Sequence, residues 1–522
     1  MKNIPESAWH QAHAAWPWPD GTVVDEAICN RPVLALVAEA VKRHGALVAL
    51  EDREHRLSFE AMWSAIGRVS REMEGSSGPV GILLPMGPAY SVAFLACLAA
   101  GRIALLMDPG WPLERTSEIL SRAGAGLLVL PAGVASVGGI PSVVVRLDGD
   151  ASGEGPSLQQ VGSMPVDAPA IILCTSGSTG VPKTIVHSQR SMMGKVWAHL
   201  NGMGARAGDL CLSLIPPATL AGVIGLIGLP VVGAGIRFVD LRVEGIGGLL
   251  AILGARPVTL LRSAPSALRL ITALPNAAEA LRGVRNVVLT GEPVMQADIA
   301  ALRPVLAPGA AIYTTYGSTE SGSIGWFPLD GDMRDEVRVP AGLLMPGTSA
   351  VIVDEDGVPC EADEAGELVL RSPYNALGEW HAGRVRTGML LVDPVDPSRR
   401  VHHTGDIVRR GSDDVYVVLG RKDRMLKING QRVEPGEIEA ALRGCEGVAD
   451  CAVVSPNGRT IVGFVVLEGA GGVERIRAAV RGRLPAAMLP SRIVPLDALP
   501  RLPGGKVDLV RLTAMAKEPA TA

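Results

Sequence analysis

Residues 171–188 read IILCTSGSTGVPKTIVHS. The apolar run 171–174 predicts a buried strand. It leads straight into Thr175, Ser176, Gly177, Ser178, Thr179 and Gly180, with Lys183 close behind. Glycines let a backbone come close to a ligand and aim several N–H groups one way. Hydroxyls add donors, and the lysine adds a positive charge. Together they suit a polyphosphate. The spacing is not that of the GxxxxGK[ST] loop. A flexible Ser/Gly linker shares this composition, but linkers rarely follow a buried strand directly.

On either side of this stretch, apolar runs bounded by Gly and Pro alternate with helical patterns. PVGILL (79–84) reads as a strand, AYSVAFLACLAAG (89–101) as a helix and RIALLMD (102–108) as a strand. Pro112 opens a helix through LERTSEILSRA, and GLLVL (126–130) is again a strand. The rhythm recurs after residue 205: LCLSL, an apolar helix, IRFVDL, a helix near 244–254, VTLL, a helix from Ser263, NVVLT, a helix near 294–304, and AIYTTYG. This order predicts an α/β fold of doubly wound layers, parallel sheets covered by helices. Near residue 340 the composition shifts. SAVIVDEDGVPCEADEAGELVLRS (349–372) reads as a hairpin around an Asp-Gly turn, so a β-rich subdomain is expected over about 338–400. After Arg421, RMLKI, CAVVS and TIVGFVVL read as strands, and EPGEIEAALRG and VERIRAAVRGRL as helices, a compact α+β unit.

The 522 residues are 48% apolar and 20% charged, which excludes wholesale disorder. Net charge is −4, so there is no overall basic field for nucleic acid or anionic lipid. Only 8 of the 49 basic residues are lysines, which makes each lysine informative. The seven cysteines are scattered without a CxxC pair, against a disulfide framework or a thiolate zinc site. The opening MKNIPESAWHQAHAAW has no apolar secretory core, and a reducing cytoplasm is the expected compartment. Between Asp209 and Arg237 no residue is charged, a run long enough to span a bilayer. Pro216, Pro217 and Pro230, and the lack of a flanking Lys/Arg cluster, favour a buried helix and argue against a membrane transporter. His402 and His403 read as turn or surface histidines, and no Ser/His/Asp triad is evident.

TSGSTGVPK (175–183) is followed by YGSTE (316–320), TGD (404–406), GRKDRMLKINGQRVEPGEIE (420–439) and LPGGKVDLVRL (502–512). In kind, order and spacing these five stretches resemble the signatures of the adenylate-forming enzymes. That family includes acyl-CoA synthetases, the adenylation domains of nonribosomal peptide synthetases and firefly luciferase. The resemblance covers about residues 30–512. LLMDPGWPLERTSEIL (105–120) and the stretch 420–439 lean towards the peptide-synthetase branch, in the style of a stand-alone adenylation domain. The implied organisation is a large domain over 1–420, a hinge at 421–423 and a mobile C-terminal domain over 424–522.

The resemblance implies two half-reactions, acyl-adenylate formation from ATP and transfer to a thiol. It makes Lys506 the catalytic lysine and Glu320 the ligand of Mg²⁺. Thr319 would touch the α-phosphate, and Tyr316 would stack on adenine beside the backbone of Gly291 and Glu292. Asp406 would take the ribose hydroxyls, with Arg421 on the same nucleotide. Asp423 becomes the hinge, and Gly430 lines a tunnel for a pantetheine arm. Four of the eight lysines, Lys183, Lys422, Lys427 and Lys506, fall inside the motifs.

For the acid, the resemblance points to Leu220, Ala221, Ile224, Ser266, Val288, Thr290, Thr315, Ser323 and Ile324. Peptide-synthetase domains for α-amino acids place an Asp where this chain has Leu220. An ammonium left unpaired in an apolar pocket costs several kcal/mol. A modest apolar, aryl or hydroxy/keto acid is therefore expected. Sixteen residues follow Lys506, so the thiol is expected in trans, from coenzyme A or, on the lean of the hinge motif, a separate carrier protein. The rival reading is a non-catalytic nucleotide-binding protein of the same fold. Glu320, Asp406 and Lys506 together weigh against it.

Overall fold

The computed structural model describes residues 4–12, 24–147, 153–162, 164–175, 183–328, 339–422, 426–428, 431–433, 435–457, 460–468, 472–481, 484, 488–502 and 507–517. Two large sheets carry the fold. In the first, Pro169–Thr175, Ala104–Leu106, Val80–Ile82, Leu127–Leu130 and Ser142–Val144 run parallel in that spatial order. In the second, the parallel series is Ala311–Ser318, Asn286–Thr290, Leu260–Ser263, Leu210–Ser213, Gly235–Phe238 and Val48–Glu51. This is the α/β layering that the alternating pattern predicts.

The two sheets share one core. Helices Val33–His44, Phe59–Glu72, Pro88–Ala99, Gln189–Met203 and Leu220–Val231 contribute to a single apolar cluster. It joins Ile82, Leu106 and Ile171 of the first sheet to Leu50, Leu260 and Val288 of the second. Helix Pro88–Ala99 is apolar on all sides because it is buried on nearly all sides.

The uncharged run 209–237 divides into strand Leu210–Ser213, helix Leu220–Val231 and strand Gly235–Phe238, a parallel strand–helix–strand unit. Twelve helical residues cannot cross a bilayer. Among the described residues no helix is long and apolar enough to do so.

A third sheet holds His10–Gln11, Ser349–Val353, Ala365–Ser372, Arg400–Arg410, Leu390–Val392 and Tyr416–Arg421. The β-rich part therefore runs on past residue 400. The 11-residue strand Arg400–Arg410 pairs on one side with Ala365–Ser372 and on the other with Leu390–Val392 and Tyr416–Arg421. The expected hairpin also differs. The Asp-Gly turn, with Gly357 at φ +77°, brings only Pro359 and Cys360 back onto Val353 and Ile352. Pro359 lacks the N–H that would continue that ladder, and the main partner strand begins at Ala365.

After Arg421 the chain forms a small hairpin, Leu426–Ile428 with Gln431–Val433, and a three-stranded sheet with helices Pro435–Arg443, Val473–Arg481 and Leu509–Lys517. Strand Arg492–Leu496 of that sheet escapes the sequence reading because Pro495 interrupts it. It lies at the sheet edge, where a missing N–H is tolerated.

The start of helix Leu220–Val231 is tightly specified. The Thr219 hydroxyl accepts from the Gly222 N–H at 3.1 Å and donates to the Pro216 carbonyl at 2.8 Å. A Cβ on Gly222 would lie 2.2 Å from that carbonyl oxygen. Gly222→Ala should lower stability by about 1–3 kcal/mol, the usual penalty for overpacking. Thr219→Ala should lose about 1 kcal/mol of capping. Urea unfolding of both variants checks the order.

Candidate nucleotide and acid site

Both motif loops arise in the same way. Pro169–Thr175 is the last parallel strand of the first sheet, and the chain returns antiparallel as Lys183–Ser188, with Thr175 opposite Lys183. Ser176, Gly177, Ser178, Thr179 and Gly180 lie outside the described residues. Ala311–Ser318 is the last parallel strand of the second sheet, and it returns antiparallel as Gly322–Pro328 around Thr319 and Glu320. Each loop thus leaves the carboxyl end of a parallel strand, where α/β sheets place their ligands.

His187, the penultimate residue of the opening stretch, connects the two returns. Its ring is fully buried, with Nδ1 3.1 Å from the Ser191 hydroxyl and Nε2 3.0 Å from the Thr319 carbonyl oxygen. A carbonyl only accepts, so Nε2 carries the proton and Nδ1 accepts from Ser191. Burial pushes the imidazole well below its usual range, so it stays neutral. The next carbonyl, that of Glu320, accepts from the Ala376 N–H at 2.8 Å. The Thr319–Glu320 turn is therefore held by two separate chain segments.

Ser321 then meets His402 through a hydrogen bond between Oγ and Nδ1. This corrects the surface reading of His402. Strand Arg400–Arg410 turns His402 inward and its neighbour His403 outward, as the period of two requires. Burial lowers the His402 pKa to about 4.

Asp406 lies on the same strand and is 7% exposed. Its Oδ2 accepts the Tyr316 hydroxyl, its Oδ1 accepts Arg421 Nη1 at 3.1 Å, and its own N–H donates to Thr404 Oγ1 at 3.0 Å. Burial, with the Asp406 charge beside it, holds the Tyr316 phenol protonated far above its usual range. Three of the nucleotide candidates, Tyr316, Asp406 and Arg421, are thereby one connected group. An ionised carboxylate only accepts, so Asp406 suits hydroxyl donors.

Glu367, on the adjacent strand, supports this group from behind. Its carboxylate accepts from Lys422 Nζ at 2.8 Å and from the Gly405 N–H at 3.3 Å, and it lies 3.7 Å from His403 Nδ1. His403 and then Lys422 hold its pKa down to about 2 against the opposing effect of burial. Gly405 itself sits at φ +71°, where a Cβ would press on the Arg421 guanidinium.

The acid candidates divide. Val288 and Thr290 on strand Asn286–Thr290 are buried beside Thr315, whose hydroxyl lies 2.8 Å from that of Thr290. Leu220 and Ala221 open helix Leu220–Val231, with Ile224 one turn later. Ile324 packs with the core of the third sheet, next to Leu344, Val408 and Tyr316. Ser323 lies on strand Gly322–Pro328, and its side chain is outside the described set. Ser266 is engaged elsewhere, its N–H and hydroxyl donating to Glu292 at 3.0 and 2.7 Å. Gly291, at φ +86°, makes the turn before Glu292. Asp423, Gly430 and Lys506 lie outside the described residues.

The sequence reading misses Arg262. It sits at the centre of the second sheet and is 1% exposed. Its Nη2 donates to the Ala221 carbonyl. The available signal is a charge inside VTLLRS, an apolar run of a parallel strand.

Residues 37–380 match the family described as AMP-binding enzyme. The chain belongs to that family. Residues 437–506 match the AMP-binding enzyme C-terminal domain. The phosphinothricin tripeptide synthetase PhsC of Streptomyces viridochromogenes is 30% identical over 93% of this chain and 45% of its own length. The L-proline–[L-prolyl-carrier protein] ligase of Streptomyces coelicolor is 29% identical over 83% of this chain and 86% of its own. The chain spans under half the length of the first of these relatives. The anthranilate CoA ligase AuaEII, solved with anthranoyl-AMP, superposes with a TM-score of 0.80 at 22% identity, over 95% of this chain and 99% of that one. The fold is that of the adenylate-forming enzymes, and this AMP-binding protein is an enzyme of that class.

The Glu367 network has a pH signature. A folded pKa near 2 against an unfolded value of roughly 4.3 makes its contribution complete above about pH 4.3 and lost as pH falls towards 2. Glu367→Gln should lower Tm at about pH 5, and the gap to the parent should close as pH falls towards 2. Thermal unfolding across that range checks the sign.

Proposed function

We propose that this AMP-binding enzyme joins a carboxylic acid lacking an α-amino group to AMP and then passes the acyl group to the phosphopantetheine thiol of a separate carrier protein. In the first step the acid's oxygen bonds to the α-phosphorus of ATP and pyrophosphate leaves. In the second, sulfur bonds to the acyl carbon and AMP leaves. The observation that carries the reading is the Tyr316–Asp406–Arg421 group, which joins the expected adenine and ribose motifs into one hydrogen-bonded set around the buried Asp406.

ATP is held, on this reading, by Thr175, Lys183 and the loop between them at the phosphates, and by Tyr316, Asp406 and Arg421 at the nucleoside. Among the described residues no three His, Cys, Asp or Glu side chains form a metal cluster. As a carboxylate, Glu320 suits a hard ion that takes its other ligands from phosphate and water, as Mg²⁺ does, and such an ion would neutralise phosphate charge. The chain's own contribution is positional. His187 and Ala376 fix the turn that carries Thr319 and Glu320, and Lys506 supplies a positive charge between carboxylate and α-phosphate.

Two features support an acid without an α-ammonium. Leu220 stands where a carboxylate would pair with that ammonium, and the guanidinium of Arg262 lies at the same helix start and would repel it. The carrier-protein acceptor is supported by the likeness to the prolyl-carrier-protein ligase along most of both chains.

Lys506→Ala should lower ATP–pyrophosphate exchange by about 10²–10³-fold, the loss usual for one transition-state donor, while thioester formation from a supplied acyl adenylate survives. Equal loss of both steps would refute the division of labour. Exchange with matched α-amino, hydroxy, keto and desamino acids should favour the last three by on the order of 10²–10⁴. A preference for the amino acid would overturn the substrate reading. A thioester formed with free coenzyme A but not with a carrier protein would change the acceptor.

A further inference from the structure

We infer that Arg262 is the anchor for a second anionic group on the acid, so that the substrate is a dicarboxylic acid or a carboxylic acid with a comparable anion at its far end. The inference rests on the adenylation reading above and narrows its substrate class.

The argument starts from an unsatisfied charge. Arg262 is 1% exposed, and a guanidinium stays protonated at any working pH. Nη2 donates to the Ala221 carbonyl, while Nε and Nη1 have no hydrogen-bond partner among the described residues. No carboxylate pairs with it there. Its titratable neighbours are Cys211, a thiol pushed up to about 12 by burial, and His199, an imidazole pushed down to about 3 by burial and then by Arg262 itself. Both are neutral. The other deeply buried arginines are paired, Arg237 with Glu51, and Arg371 with Glu6 and Asp393. A buried charge without a counter-ion is strongly destabilising, so a fold that keeps one has a use for it.

Its position identifies that use. Along the second sheet Arg262 is in register with Ser213 on one side and Val288 on the other. Val288, Thr290 and Arg262 therefore face the same way, towards helix Leu220–Val231. The two unpartnered nitrogens lie under the first two turns of that helix, which also carry Leu220, Ala221 and Ile224. Gly225 makes the room: a Cβ there would fall 2.0 Å from Nη1. Val288 sits two residues before Thr290, so Arg262 is deeper in the sheet than the Thr290–Thr315 pair, on the side away from the nucleotide motifs. An acid whose reacting carboxylate points to those motifs would present its far end to Arg262. Bidentate pairing of guanidinium with carboxylate is the strong form of this contact.

The test is ATP–pyrophosphate exchange on the full chain with succinate against butyrate, glutarate against pentanoate, and isophthalate against benzoate. At least one diacid should exceed its partner by roughly 10²-fold or more in kcat/KM, since losing one member of a buried charge pair has that effect. Arg262→Met should abolish the preference, mainly through KM for the diacid, with AMP affinity unchanged. Gly225→Ala should weaken it in the same direction while Arg262 remains. Should the monoacids match or exceed every diacid, or should Arg262→Met reduce both members of a pair equally, the inference falls and adenylation stands. If ATP binds and no acid of any class supports exchange, the adenylation reading itself falls.

Discussion

Two parallel sheets close on one dry layer of helices, and that shared core is the constraint from which the site follows. Every backbone N–H and C=O inside such a layer must be paired, so the interior tolerates strands and helices but not loops. Polar chemistry is driven to the carboxyl ends of the strands, and here to an edge of each sheet where the chain turns back antiparallel. Those two edges carry the stretch between Thr175 and Lys183 and the Thr319–Glu320 turn. His187 spans the gap between them from inside the core. A neutral, buried imidazole suits that task, because it can accept from Ser191 and donate to a carbonyl without bringing a charge into the layer.

The third sheet adds what the first two lack, a carboxylate facing the second sheet's turn. The long strand Arg400–Arg410 delivers His402 to Ser321 and Asp406 to Tyr316, while its outward residues meet Glu367 and Lys422. Burial separates the roles of these groups. Asp406 is approached by a phenol kept protonated and by a guanidinium that cannot lose its charge, so it has donors on both oxygens and remains an acceptor. Glu367 is engaged by Lys422, which lies within the proposed hinge 421–423. The TGD stretch and the proposed hinge thus meet at one carboxylate, which accepts from the Gly405 N–H and pairs with Lys422. A rotation of the C-terminal domain would act directly on Arg421 and Lys422, the residues that touch the nucleotide group and its support.

Much of this was legible in the chain. The alternation of apolar strands and helices named the parallel sheets, because a strand covered on both faces must be apolar throughout. The motifs nominated Tyr316, Asp406 and Arg421, which the structure brings into contact. The uncharged run 209–237 was legible too: Pro216 and Pro217 separate its first strand from its helix, while Pro230 lies inside that helix.

What the sequence determined by itself, then, is the layered α/β class, the family and the order of its motifs, since all of these rest on local periodicity and on residue types at fixed spacing. The tertiary structure alone decided which groups meet. His187 looked like the end of a strand, and His402 like a turn residue, until packing placed one against Thr319 and the other against Ser321, more than 80 positions away in the latter case. Arg262 looked like an interruption in an apolar strand. Its significance lies in what is missing around it, and an absence of counter-charge is a property of three-dimensional neighbours that no run of residues can express.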